Sequence, residues 1–301
     1  MPLSLPAAIL LFTFASTLLP AQPSPTFQAG VSQVRVDVEV FSGSASVSQL
    51  KPQHFLVKDN GRVQPVVHVS QSEEPLDLIL VFDISGSMKK IVQRVASSAQ
   101  RSLSQLKDGD RVSVMTFAGR ARLLSGFTED WKAVQNTIER DILDEPFEGS
   151  TRIWDAAHES GRVHFRQGRT SRRRAVIVIT DNVGQKGRYD EDEALEALWE
   201  ADAVLCSVII ANPEEARKER RRVRINHIAA ETGGDVIFSE DASEAFQHMV
   251  QRIRSRYSLY YEMPKGRPGE FRNVKVELQG EAKRLYPEAR VKARKGYRLP
   301  D

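Results

Sequence analysis

The chain has 301 residues, 41% of them hydrophobic and 28% charged, which supports one large domain plus a smaller one and excludes long disorder. Its 43 basic and 40 acidic side chains leave a formal net charge of +3, so no general attraction to nucleic acid is expected. The lone cysteine, Cys206, excludes an internal disulfide, and its place in an apolar run reads as a small buried hydrophobe.

In chain order, Leu3 to Leu19 is almost wholly apolar and Pro20-Ala21 follows, the pattern of a cleaved signal peptide over residues 1–21. A membrane anchor over residues 3–19 is the competing reading, although about seventeen residues is short for a span. A polar, proline-rich linker occupies 22–29. Val34, Val36, Val38 and Val40 then alternate with Arg35, Asp37 and Glu39, the period of a half-buried strand. Phe55 to Lys58 and Val63 to Val69 flank Asp59-Asn60-Gly61, a hairpin signal.

From Leu76 the pattern changes. Leu76 to Phe82 is a continuous apolar run, as in a strand covered on both faces. Lys89 to Leu106 places Ile91, Val95, Ala99, Leu103 and Leu106 at helical spacing. Val112 to Phe117 and the strand around Leu123-Leu124 form an antiparallel pair at the sheet edge. Trp131 to Ile142, Asp192 to Ala201, Ile225 to Glu231 and Ser243 to Arg256 read as helices. Ala175 to Ile179, Val204 to Ile210 and Val236 to Phe238 read as strands. This alternation predicts an α/β fold over residues 76–256, a doubly wound, mostly parallel sheet with helices on both faces.

Beyond it, Tyr257 to Glu262, Val274 to Leu278 and Ala289 to Ala293 again read as strands. Neither flank is large enough to bury a core alone. The segments 30–72 and 257–301 are therefore expected to share one small β-sandwich, with the α/β domain inserted between them.

The chemistry concentrates at three strand ends. Asp83-Ile84-Ser85-Gly86-Ser87 sets three short oxygen-bearing side chains at alternate positions after an apolar strand. Glu148-Gly149-Ser150-Thr151 delivers Thr151 at a helix start, and Ala175 to Ile179 runs through Thr180 into Asp181. In an open α/β sheet the C-terminal strand edge is where ligands bind. Hydroxyls and carboxylates are hard donors that suit Mg²⁺ or Ca²⁺ and suit zinc poorly. The alternative is that Ser85 or Ser87 merely caps the following helix.

Asp83-x-Ser85-x-Ser87, Thr151 before Ile153-Trp154-Asp155, and Asp181 together resemble the metal-ion-dependent adhesion site of von Willebrand factor type A domains. Thr232-Gly233-Gly234 before the last strand is similar to that family as well. The resemblance implies that Ser85, Ser87 and Thr151 hold a divalent ion, Mg²⁺ or else Ca²⁺ or Mn²⁺. It also implies that Asp83 and Asp181 complete the site, and that a partner's Asp or Glu fills an open position. The family has Gly after the last Asp, whereas Asn182 stands here, a residue that tolerates unusual backbone angles. The flanks, through Leu50 to Phe55, Val57 to Gly61 and Arg294 to Tyr297, resemble exported type A-related proteins of the acidobacteria.

The basic runs Arg172 to Arg174 and Lys218 to Arg224 read as solvated faces, the usual fate of such runs. No His or Cys spacing suggests zinc, no G-x-S-x-G elbow is present, and a hydroxyl-rich donor set activates water weakly. The sequence thus predicts a secreted or periplasmic, non-enzymatic adhesion module that binds a protein partner through its metal. A metal-independent structural role in an envelope complex is the alternative.

Overall fold

A computed structural model describes residues 32–43, 45–71, 73–168, 170–210 and 225–300. The signal-peptide and anchor readings and the basic run Lys218 to Arg224 fall outside these residues. Among the described residues no helix is long and apolar enough to cross a membrane.

Six strands build the central sheet, in the order Val236–Ser239, Ala203–Ile210, Arg173–Thr180, Leu76–Asp83, Arg111–Phe117 and Ala121–Thr128. All neighbours are parallel except the last pair, which is antiparallel at the edge. Successive side chains of the central strands point to opposite faces, and each face meets helices, which explains why these runs lack polar alternation. On one side Leu78, Leu80, Phe82, Ile177 and Ile179 pack with Met88, Val92, Phe246 and Met249. On the other, Ile79, Val81, Val176 and Val178 pack with Ile153, Leu198, Ile225 and Ile228. This is the doubly wound α/β architecture that the alternation of segments predicts.

The helix expected over Lys89 to Leu106 is two helices, Lys89–Ala96 and Ala99–Leu103. The break falls where the Ser97 and Ser98 hydroxyls donate back to the carbonyls of Arg94 and Val95 and compete with the helical ladder. The basic run Arg172 to Arg174 is not a solvated face. Arg172 bonds the Asp77 carboxylate at 2.5 Å, and Arg173, only 1% exposed, donates to the Ile253 carbonyl at 2.7 Å. Arg174 donates to the Ala201 carbonyl at 2.6 Å.

The flanks pair with each other in two small antiparallel sheets, each drawing strands from both. In one, Gln33–Ser42 lies between Tyr257–Glu262 and Arg290–Ala293, with His68–Gln71 beyond Tyr257–Glu262. In the other, Phe271–Leu278 lies between Phe55–Asp59 and Gly296–Arg298, and Arg62–Gln64 pairs with Phe55–Asp59 across the expected hairpin. Asn60 and Gly61 both have positive φ (46° and 77°), as the two-residue turn requires. Val34, Val36, Val38, Val57, Tyr261, Val276 and Tyr297 share one core. Within it the buried Asp59 carboxylate accepts the Tyr261 and Tyr297 hydroxyls, each at 2.8 Å, and pairs with Arg272. Two of the three stretches carrying the flank resemblance, Val57 to Gly61 and Arg294 to Tyr297, thus meet in one hydrogen-bonded cluster.

The second face of Gln33–Ser42 is not solvent-exposed. Asp37 and Glu39 are buried against the base of the α/β sheet, where Asp37 pairs with Arg173 and Glu39 with Arg252 and Arg256. Alternation marked two distinct faces but not what each meets. The short helix Gly280–Leu285 and the strand Gly296–Arg298 give too few periodic residues to register in the sequence.

Candidate metal centre

Asp83 is the last residue of its strand and is fully buried, so its carboxylate must find partners within the protein. One oxygen accepts the Ser85 backbone N–H at 2.9 Å, and the other accepts the Thr180 hydroxyl at 2.6 Å. Burial, with the charge of Asp181 adding to it, pushes the Asp83 carboxyl up to about 7 against these hydrogen bonds. Asp181, at the end of the adjacent strand, accepts the Ser87 hydroxyl at 2.6 Å and the Val183 N–H at 3.1 Å. The Ser85 and Ser87 hydroxyl oxygens lie 3.4 Å apart. Four of the five expected residues therefore form one connected polar group.

Thr151 reaches the same edge on its own loop. Gly149 turns that loop at φ 93°, packed against Gly119. The Arg152 N–H donates to the Ala118 carbonyl at 3.3 Å, and Gln185 donates to the Thr151 carbonyl at 2.7 Å. Ala118 follows Phe117, whose carbonyl accepts the Ile84 N–H at 2.9 Å. The Thr151 loop is thus hydrogen-bonded to the loops after Arg111–Phe117 and Arg173–Thr180, the first of which in turn holds Ile84, and Thr151 itself is buried.

The capping alternative is not what the structure contains. Neither the turn Gly86–Met88 nor the helix Lys89–Ala96 has a side-chain cap at its start, so the Ser85 and Ser87 hydroxyls are not used that way. Asn182 takes φ 59°, the left-handed conformation in which glycine is at home and Asn is tolerated.

Sequence reasoning passed over Thr180 and Asp155. The Thr180 hydroxyl donates to Asp83 while accepting the Asn182 N–H at 3.0 Å, so it fixes both carboxylate-bearing loops. Asp155, in the first turn of Ile153–Phe165, accepts the Tyr189 N–H at 3.0 Å and anchors the loop after Asp181. Both sit within the quoted motifs. Their positioning roles follow only from which carbonyls and amides the fold brings to them.

Among the described residues no group of three or more His, Cys, Asp or Glu converges as a metal site. The group described above is of another composition, two carboxylates among hydroxyls. Among those residues, neither Asp83 nor Asp181 is paired with a Lys, Arg or His. A buried carboxylate beside a second one, with no organic cation, is a costly arrangement that a hard divalent cation would relieve.

Residues 78–185, which span all five positions, match the von Willebrand factor type A domain family. The central sheet is similar in fold to that of von Willebrand factor type A domains. An uncharacterized protein of Synechocystis sp. is 28% identical to this chain over 186 residues, covering 60% of this chain and 42% of that protein. The chain thus spans less than half the length of that relative. Among solved structures, proximal thread matrix protein 1 of the mussel byssus, with a zinc-occupied MIDAS motif, is 18% identical. It covers 65% of this chain and 50% of its own, with a TM-score of 0.51. The conserved hypothetical protein BatB from Bacteroides thetaiotaomicron is 22% identical over 59% of this chain and 97% of its own, with a TM-score of 0.46. At 18% identity the likeness to the byssus protein is one of fold alone.

Proposed function

We propose that this protein is an exported, non-enzymatic binding module whose type A domain engages a carboxylate of a protein partner through one divalent ion. Mg²⁺ is the first choice, with Ca²⁺ and Mn²⁺ as alternatives. Ser85, Ser87 and Thr151 would supply neutral oxygens, and Asp83 and Asp181 the charge. The observation that carries the reading is the pair of buried, cation-free carboxylates from adjacent strands, linked through Ser85 and Ser87. An ion held largely by neutral hydroxyls keeps enough positive charge to attract an external carboxylate. The protein's own residues hold the donors in place: Thr180 and the Ser85 amide orient Asp83, and the Val183 amide orients Asp181.

Export rests on the apolar segment Leu3 to Leu19 and its small-residue boundary at Ala21. Protein binding is favoured over catalysis because a hydroxyl-rich donor set activates a bound water weakly. The test is capture of a partner from envelope extract with Mg²⁺, with chelator, and with an Asp83→Ala variant. Capture lost in chelator and in the variant, and restored by Mg²⁺ to the wild type alone, is the expected result. Capture indifferent to all three would favour a metal-independent assembly role.

A further inference from the structure

The loops around the candidate metal centre carry a charge bias that acidic side chains of the fold do not offset, although Lys89 lies over the Phe147 ring at 6.0 Å and Arg188 over the Tyr189 ring at 5.2 Å. Residues 84–90, 118–121, 147–152 and 182–188 hold six cations, Lys89, Lys90, Arg120, Arg152, Lys186 and Arg188, against one acid, Glu148. Among the described residues none of the six forms an ion pair with an acidic side chain. Where elements of the fold meet, by contrast, arginines find acids, as Arg172 does with Asp77, Arg272 with Asp59 and Arg252 with Glu39. Nearby acids are already engaged: Glu145 with Arg122, Asp190 and Glu193 in a reciprocal helix cap, Asp155 beneath the Tyr189 amide.

Two details argue that the bias is more than surface decoration. Lys89 and Lys90 open the helix Lys89–Ala96 with no acid in its first turn, so both cations sit against the positive end of the helix dipole. Helix stability favours acids there, and the arrangement works against it. The Arg152 Nε, immediately after Thr151, is buried without a hydrogen-bond partner, as are those of Arg173 and Arg256, but those two donate through their terminal nitrogens whereas Arg152 makes no side-chain hydrogen bond among the described residues.

We propose that this edge docks an acidic segment of the partner protein, in which the metal-binding carboxylate is flanked by further Asp or Glu residues. The proposal rests on the metal-dependent reading above and adds the partner's chemical class. The central ion selects one carboxylate. The six cations, spread over four loops around it, attract the flanking charges, speed encounter and disfavour basic partners. The cations fall in four separate segments, two of them carrying a pair, rather than in a continuous stripe, which suits a short peptide better than a polyphosphate backbone.

The test uses the full chain with three synthetic peptides that share a central Asp, flanked by Glu, by Ser or by Lys, in Mg²⁺ at low and high NaCl. An Arg120→Gln/Lys186→Gln double variant is run beside the wild type, with Mg²⁺ binding followed separately by its shift in melting temperature. The Glu-flanked peptide should bind about tenfold more tightly than the Ser-flanked one at low salt, and the Lys-flanked one most weakly. At roughly threefold per exposed charge, the double variant should remove most of that tenfold preference and leave Mg²⁺ binding unchanged. Equal binding of the three peptides, or none at all, by a protein that does bind Mg²⁺ would overturn the acidic-segment proposal and spare the metal. A short oligonucleotide of equal charge that binds as well as the Glu peptide would also overturn it. Binding of the Glu peptide that persists in chelator yet falls in the double variant would uphold the basic edge and defeat the metal reading instead.

Discussion

His164 lies fully buried under the sheet, its Nε2 placed 3.1 Å from the Ala175 carbonyl and its ring against Phe127. Burial, with Arg174 and Arg111 nearby, holds its pKa down to about 3. The native imidazole is therefore neutral, whereas the unfolded chain binds a proton below about 6.5. The folded pKa lies below the unfolded one, so the stability that His164 contributes is complete above pH 6.5 and drains away as pH falls toward 3. Urea unfolding of wild type and His164→Gln should diverge in slope, the wild type losing about 2 kcal/mol more between pH 6.5 and 5. Parallel stability profiles would show that His164 does not titrate in this way. At the candidate site, the five motif residues stand out in the sequence because their identities and spacing carry the resemblance. Thr180 does not, since a threonine at a strand end reads as a β-former until the fold sets Asp83 on the neighbouring strand.

Among the elements, the continuous apolar strands were the most legible, because burial on both faces demands that composition. The Lys89 to Leu106 region kept its apolar face yet lost its continuity, since periodicity reports which side is buried and not whether Ser97 and Ser98 interrupt the ladder. The strand Gln33–Ser42 shows a different limit. Its valines were placed correctly, while Arg35, Asp37 and Glu39 meet ionic partners far away in sequence, which no local pattern contains. The flank sheets are held together at Asp59, whose buried carboxylate needs both phenols and Arg272. Replacing Tyr297 with Phe removes one hydrogen bond to a buried charge and should lower unfolding stability by about 2 kcal/mol. Tyr286→Phe, outside this cluster, should change it far less. Equal effects of the two substitutions in urea titrations would deny the cluster its role.

Across the whole molecule, the described unit has chemically different ends. At the N-terminal ends of the central strands, Asp37, Glu39, Asp202 and Asp235 meet Arg173, Arg252, Arg256, Arg294 and Lys292, which fastens the flank sheets to the α/β domain. At the C-terminal ends, eight residues of strand away, Asp83 and Asp181 are left without organic cations. Charges are matched where the fold joins its parts and unmatched where a ligand would approach. The central claim is that the unmatched end is a metal site, and calorimetric titration with Mg²⁺ and Mn²⁺ tests it most directly. The account predicts one site per chain, with Kd roughly in the 10⁻⁴–10⁻³ M range of weak extracellular sites. It also predicts a higher melting temperature with metal, and loss of both effects in an Asp181→Ala variant that remains folded. A wild-type protein that gives no binding heat and melts identically in metal and in chelator would contradict it.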